Sequence, residues 1–119
     1  MMGGTFGGMM RLGATPDSVP AGHVSFVATN SGSTNHELVI LPLPANQAAG
    51  VRPVQPDETV DETGSLGEAS KSCGAGSGEG IAPGTASWVT LTLARGRYEL
   101  VCNLPGHYAA GMYSQLTVR

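Results

Sequence analysis

Cys102, His107 and Met112 lie in one stretch, Cys102-Asn103-Leu104-Pro105-Gly106-His107-Tyr108-Ala109-Ala110-Gly111-Met112, with four residues between each and the next. A thiolate, an imidazole and a thioether so spaced supply three of the donors of a blue copper site. Two histidines and a cysteine in a trigonal set, with a weak axial methionine, hold a copper ion that passes one electron with little rearrangement. The remaining donor must come from elsewhere, and the only other histidines are His23 and His36. His36 stands in Ser33-Thr34-Asn35-His36-Glu37-Leu38-Val39-Ile40, at the entrance of a strongly apolar run, and is the obvious candidate. His23 has no Cys, Met or carboxylate near it in sequence and reads as an exposed structural histidine.

Singly, these signals are weak. A buried cysteine is among the most ordinary core residues, and a methionine near a strand start more often packs than ligates. The case rests on the set and on the elements that must aim it. In Arg97-Tyr98-Glu99-Leu100-Val101-Cys102, alternation puts Tyr98, Leu100 and Cys102 on one face, so the pattern that buries Leu100 also turns the thiol inward at the end of a sheet. Trp88 to Leu93 reads as the preceding strand, and the turn at Ala94-Arg95-Gly96 predicts a hairpin between the two. His23 to Thr29 is a strand with Val24, Phe26 and Ala28 inward, and Tyr113 to Arg119 is the last, with Leu116 and Val118 inward. Leu38-Val39-Ile40-Leu41 lacks alternation, as expected of a strand buried on both faces, and Pro42 and Pro44 end it.

A length of 119 residues suits one domain, here 11–119, preceded by a flexible Met- and Gly-rich segment over 1–10. Charged residues make up only 13% and hydrophobic ones 40%, which excludes a disordered chain. The net charge of -3 gives no basic footprint for nucleic acid, and no stretch has the apolar length of a membrane span. Residues 45–85 carry many glycines and six of the nine acidic residues, and form a long acidic excursion, with a short strand or helical turn near Val54 or Leu66 to Ala69. The expected fold is an all-β Greek-key sandwich of about seven or eight strands with that excursion inserted.

With these residues in view, the chain resembles a cupredoxin. The Cys-x4-His-x4-Met spacing, with Pro105-Gly106 before His107, is similar to the rusticyanin and auracyanin type of small blue copper protein, and Gly96-x-Tyr98-x-x-x-Cys102 is similar to the strand that enters the loop. The likeness covers roughly residues 22–44 and 84–119 and leaves the excursion unmatched. It implies one mononuclear type 1 copper ion held by His36, Cys102, His107 and Met112. It also implies redox protein partners docking near His107, where Leu104, Pro105, Tyr108, Ala109 and Ala110 would form an apolar patch. Backbone groups of 104–107 and Asn103 are expected to serve the Cys102 sulfur. One departure is Glu37, which follows the first histidine where the family often has Asn or Ser tying the two ligand loops together. Asn35 or Thr34 is the expected substitute for that link, and a carboxylate at 37 would let the potential vary with pH.

An electron carrier is therefore the leading expectation, with copper storage or delivery as the alternative, suggested by Met1, Met2, Met9 and Met10 as soft Cu(I) donors. Multicopper enzymes need further imidazole-rich centres, and only His23 is unassigned. Zinc would make no strong use of an axial methionine. Residues 1–8 lack the features of a signal peptide. An extracytoplasmic location, periplasmic or cell-surface, is expected, from a leader removed from the chain that could also have carried a membrane or lipid anchor. Cys73 reads as a loop thiol, with a disulfide to Cys102 in the metal-free protein, an intermolecular disulfide or a covalent attachment as alternatives.

Overall fold

The computed structural model describes residues 2–6 and 9–119, and the side chains from Met10 onward. Eight strands build a two-sheet sandwich. A five-stranded sheet runs β3 (Ser18–Val19), β10 (Tyr113–Val118), β9 (Gly96–Val101), β5 (Leu38–Pro42) and β6 (Gly67–Ala69). A three-stranded sheet runs β4 (Gly22–Thr29), β8 (Ala86–Leu93) and β7 (Gly74–Ala75). Ahead of them β1 (Met2–Phe6) pairs antiparallel with β2 (Met9–Leu12), and the Met10 N–H donates to Ala110 O at 2.8 Å. Met1, Gly7 and Gly8 lie outside the described residues, as do the side chains of Met2 and Met9, so the copper-loading reading of the methionines falls there. Met10 is half-buried against the core. Among the described residues there is no helix long and apolar enough to cross a membrane.

Period-two patterning does most of this work. In β4, Val24 and Ala28 are buried while His23, Ser25 and Val27 are exposed, and β8 repeats the pattern opposite it. Between the sheets lie Leu38, Ile40, Leu93, Tyr98, Leu100, Cys102, Met112 and Leu116. The expected hairpin between Trp88–Leu93 and Arg97–Cys102 does not form. β8 pairs with β4 and β7, whereas β9 pairs with β5 and β10, so the chain crosses between sheets at 94–96. Each strand has one apolar face, and packing those faces across the sandwich buries Leu93 and Tyr98 together, which lateral pairing would not. The Tyr98 hydroxyl donates to Ala94 O at 2.7 Å and fixes this corner.

The excursion is a cover as well as a connection. Val39, Leu41 and Val101 point away from the sandwich core, yet each is fully buried, because Val60 and Tyr108 pack over them in a second cluster. The absence of alternation in Leu38–Leu41 thus has the expected cause: both faces are dry. Residues 67–69 pair with β5, so the strand alternative for Leu66 to Ala69 is the one realised.

Gly50 sits where the cover turns beneath Tyr113, with φ of +91°, and a Cβ built there would overlap the Tyr113 ring. Gly76 has φ of +78° but open space around it. Gly76→Ala should therefore cost only the left-handed backbone penalty, about 1 kcal/mol, and Gly50→Ala roughly 3 kcal/mol once overpacking is added. Chemical denaturation of the two variants checks the difference; equal losses would mean that the Tyr113 contact is unimportant.

Candidate metal centre

The first histidine loop is held by a buried amide. Asn30 is fully buried and donates to Thr34 O and Ile81 O, both at 2.7 Å, while accepting from the Gly32 N–H at 2.8 Å. His36 N–H then donates to Ile81 O at 3.1 Å and Ile81 N–H to His36 O at 2.7 Å, so the late part of the excursion straps His36 just before β5 begins. On the other side β9 delivers Cys102 inward. Cys102 N–H donates to Met112 O, Met112 N–H to His107 O, both at 3.1 Å, and His107 N–H to Leu104 O at 3.0 Å, which closes the loop on itself.

These two loops bring together the donors of His36, Cys102 and His107. Nδ1 of His36 lies 3.2 Å from Nδ1 of His107, and the Cys102 Sγ lies 3.8 and 3.3 Å from them. A point equidistant from the three atoms, the centre of the circle through that triangle, lies about 2.0 Å from each, close to a metal–nitrogen bond and somewhat short for a metal–sulfur one. His36 is 1% exposed, Cys102 and Met112 are fully buried, and His107 is half-buried. The Met112 side chain shares the inner cluster with Cys102.

Electrostatically the pocket waits for a cation. Burial, then the neighbouring His107, lowers the His36 pKa to about 4, and burial lowers that of His107, so both imidazoles are neutral near pH 7. Burial raises the Cys102 thiol to about 11, against the Glu37 and Leu104 N–H groups that favour the thiolate. Two imidazole nitrogens and one sulfur brought this close in a largely buried pocket make a good donor set for a soft cation.

Glu37 itself makes the link expected of Asn35 or Thr34. Its N–H donates to the Cys102 sulfur at 3.3 Å, and its carboxylate accepts from the Asn103 N–H. Burial, then Glu68 and Glu62, raises its pKa to about 7, against that Asn103 bond. The Asn103 side chain, in turn, does not serve the sulfur. It accepts from Val60 N–H at 2.8 Å and donates to Val60 O and Glu62 at 2.9 and 2.8 Å, pinning the cover to the loop. The sulfur's backbone donors are Glu37 and Leu104. Tyr108 is likewise not part of a surface patch: it is 2% exposed, its ring in the second cluster and its hydroxyl bonded to Glu99 at 2.7 Å. Leu104 and Ala110 are half-buried beside His107, and Pro105 and Ala109 are exposed. His23 is exposed and bonds Thr92, as the sequence suggested.

Sequence reasoning missed Glu99. It is fully buried although alternation turns it away from the core, and it accepts from Gly50 N–H at 2.8 Å and Arg52 Nε at 2.6 Å as well as Tyr108. Its one signal was a lone charge inside Tyr98-Glu99-Leu100-Val101.

Cys73 and Cys102 are both free thiols, the first exposed and the second buried, so the intrachain disulfide is not formed. Reaction goes through the thiolate. Metal-free protein at pH 8 should thus show one fast thiol, Cys73, and one slow one, Cys102, because a pKa raised to about 11 leaves little thiolate. Alkylation followed by peptide mass mapping checks this; two equally fast thiols would contradict the buried position of Cys102.

Comparison with known proteins agrees with this architecture. The sequence profile of the sulfocyanin (SoxE) domain matches residues 2–119. Auracyanin from Roseiflexus castenholzii superposes with a TM-score of 0.62 at 21% identity, covering 99% of this chain and 94% of that one. Rusticyanin from Thiobacillus ferrooxidans gives 0.53 at 20% identity, covering 99% and 74%. At these identities the likeness is one of fold. A copper-resistant cuproprotein of Pseudomonas aeruginosa, CopI, is 48% identical over 40 residues, a match that spans 33% of this chain and only 22% of that protein. With its profile match over nearly the whole length and its two-sheet sandwich, the chain belongs to the sulfocyanin (SoxE) domain family of cupredoxins.

Proposed function

We propose that the protein is a blue copper electron carrier and that His36, Cys102, His107 and Met112 hold its single type 1 copper ion. The observation that carries this reading is the buried triangle of two Nδ1 atoms and one Sγ, whose sides of 3.2, 3.3 and 3.8 Å fit around one ion. When bound, copper supplies the one-electron chemistry by cycling between Cu(II) and Cu(I). The chain's own part is to hold the donors still and keep water out. Met112, fully buried, offers a thioether, which favours the softer Cu(I) state. The N–H of Glu37 on the sulfur removes electron density from it and raises the potential. Strands β5 and β9 pair side by side and aim His36 and Cys102 from adjacent strand ends, so neither oxidation state needs a different backbone.

His107, half-buried where His36 is closed off, is the proposed exit for the electron, and Leu104, Pro105, Ala109 and Ala110 border it as the proposed docking face for redox proteins. Transient contacts of this kind use small interfaces. An extracytoplasmic setting suits the low charge and the oxidisable thiolate. Copper-loaded protein should show an intense visible band, narrow copper hyperfine splitting and reversible one-electron voltammetry; a colourless copper complex refutes the reading.

Copper storage or delivery is the second reading, favoured by the 40-residue likeness to CopI. It predicts rapid transfer of copper to a chelator from the loaded protein. The carrier reading predicts that the burial of three of the four donors makes that transfer slow.

A further inference from the structure

The ligand loop is gripped on its outer side by the cover at three places. Asn103 holds Val60, Gly106 N–H donates to Glu58 O at 2.9 Å, and the Tyr108 hydroxyl accepts from the Arg52 N–H at 3.2 Å. The last of these leads to Glu99, which sits on β9 three residues before Cys102 and receives Gly50, Arg52 and Tyr108 together. Arg52 also reaches Pro42 O at the end of β5. Tyr108 packs on Tyr113 at 5.2 Å between ring centres, so the two tyrosines bracket the segment that ends in Met112.

A carboxylate is a costly way to fill this position. Its neighbours on the same face, Val39, Leu41 and Val101, are apolar, and replacing a buried ion pair by apolar residues is often neutral or stabilising. What the charge adds is direction. An apolar residue would allow the cover and loop to slide on the sheet, whereas a carboxylate with an N–H, a guanidinium and a hydroxyl on it accepts one arrangement only.

We propose that Glu99 is a positioning residue of the metal centre: through the Tyr108 hydroxyl its buried carboxylate locks the ligand loop to strand β9 and to the 45–66 cover, and so fixes the place of His107. The inference rests on the copper-site reading above. Tyr108 follows His107 directly, and the loop's outer bonds at 103, 106 and 108 leave the intervening peptide groups little freedom. Of these three, only the bond at 108 ends on a buried charge.

Tyr108→Phe removes one oxygen and leaves Glu99 with Gly50 and Arg52, so the fold survives it. In copper-loaded Tyr108→Phe we expect altered copper hyperfine splitting and an altered ratio of visible bands. Amide hydrogen exchange over 104–111 should rise roughly tenfold, the loss expected of a hydrogen bond to a charged group. Exchange in β8, on the opposite sheet, should stay unchanged. Glu99→Gln should shift the same signals in the same sense, and the double variant should add little to either, since both act through one contact. Wild-type spectra and wild-type loop exchange in Tyr108→Phe would overturn the proposal, and this holds even if Glu99→Gln fails to fold. A wild type that binds no copper with a blue spectrum would refute the copper reading alone, because loop exchange in the metal-free variants still tests the positioning.

Discussion

Cys102→Ser should abolish the intense visible band of the copper-loaded protein, widen its copper hyperfine splitting and weaken copper binding. The drop in affinity should exceed the roughly 10–100-fold that the loss of a group supporting a ligand costs, because the proposed ligand itself is lost. The band comes from charge transfer out of a thiolate, and a serine hydroxyl is neither ionised at neutral pH nor soft. The fold should survive. Serine is close to cysteine in size, and the Glu37 N–H that reaches Sγ at 3.3 Å has an oxygen in its place to donate to. The two outcomes separate ligation from stability: unchanged colour in a folded variant would remove Cys102 from the site, and with it the function proposed.

For stability the largest loss is expected from Arg52→Ala. Glu99 is fully buried and Arg52 is 16% exposed, with Nε on the carboxylate at 2.6 Å. Removing one member of a buried pair strands the other charge away from water and costs about 3–5 kcal/mol. That is a large share of the roughly 5–15 kcal/mol by which a domain is stable. It corresponds to a fall in Tm on the order of 15 °C. Arg97 provides the contrast. Its side chain makes three hydrogen bonds, to Pro44 O, Ala45 O and Gln115, against two for the Arg52 side chain, but at the surface, where water replaces the lost partner. Arg97→Ala should cost no more than about 1 kcal/mol. Thermal melts of the two metal-free variants decide it, and similar losses would mean that the Glu99 cluster is no more than a surface contact.

Glu37 shows how a departure from a familiar pattern can conserve the connection. Asn or Ser at this place would join the two loops through a short side chain; here a longer carboxylate reaches the Asn103 N–H, while the bond to sulfur comes from the Glu37 backbone and needs no particular side chain. Neither bond was visible in the order of residues. A sequence gives the neighbour along the chain, and both partners of Glu37 are more than sixty positions away.

What the chain determined by itself is what is encoded over short distances. Alternation in His23–Thr29 and Arg97–Cys102 specified which side chains face inward, because a strand repeats every two residues whatever it pairs with. The unbroken apolar run Leu38–Leu41 announced a strand covered on both faces. Cys102, His107 and Met112 stood out because one loop carries all three. Tertiary structure alone decided the rest: that β8 and β9 part at 94–96 into different sheets, that the acidic excursion turns back over the outer face, and that Glu99 is therefore dry. The reason is physical. Facing within a strand follows from local backbone geometry, whereas the choice of partner and the burial of an outward face depend on how much apolar surface distant segments can cover together.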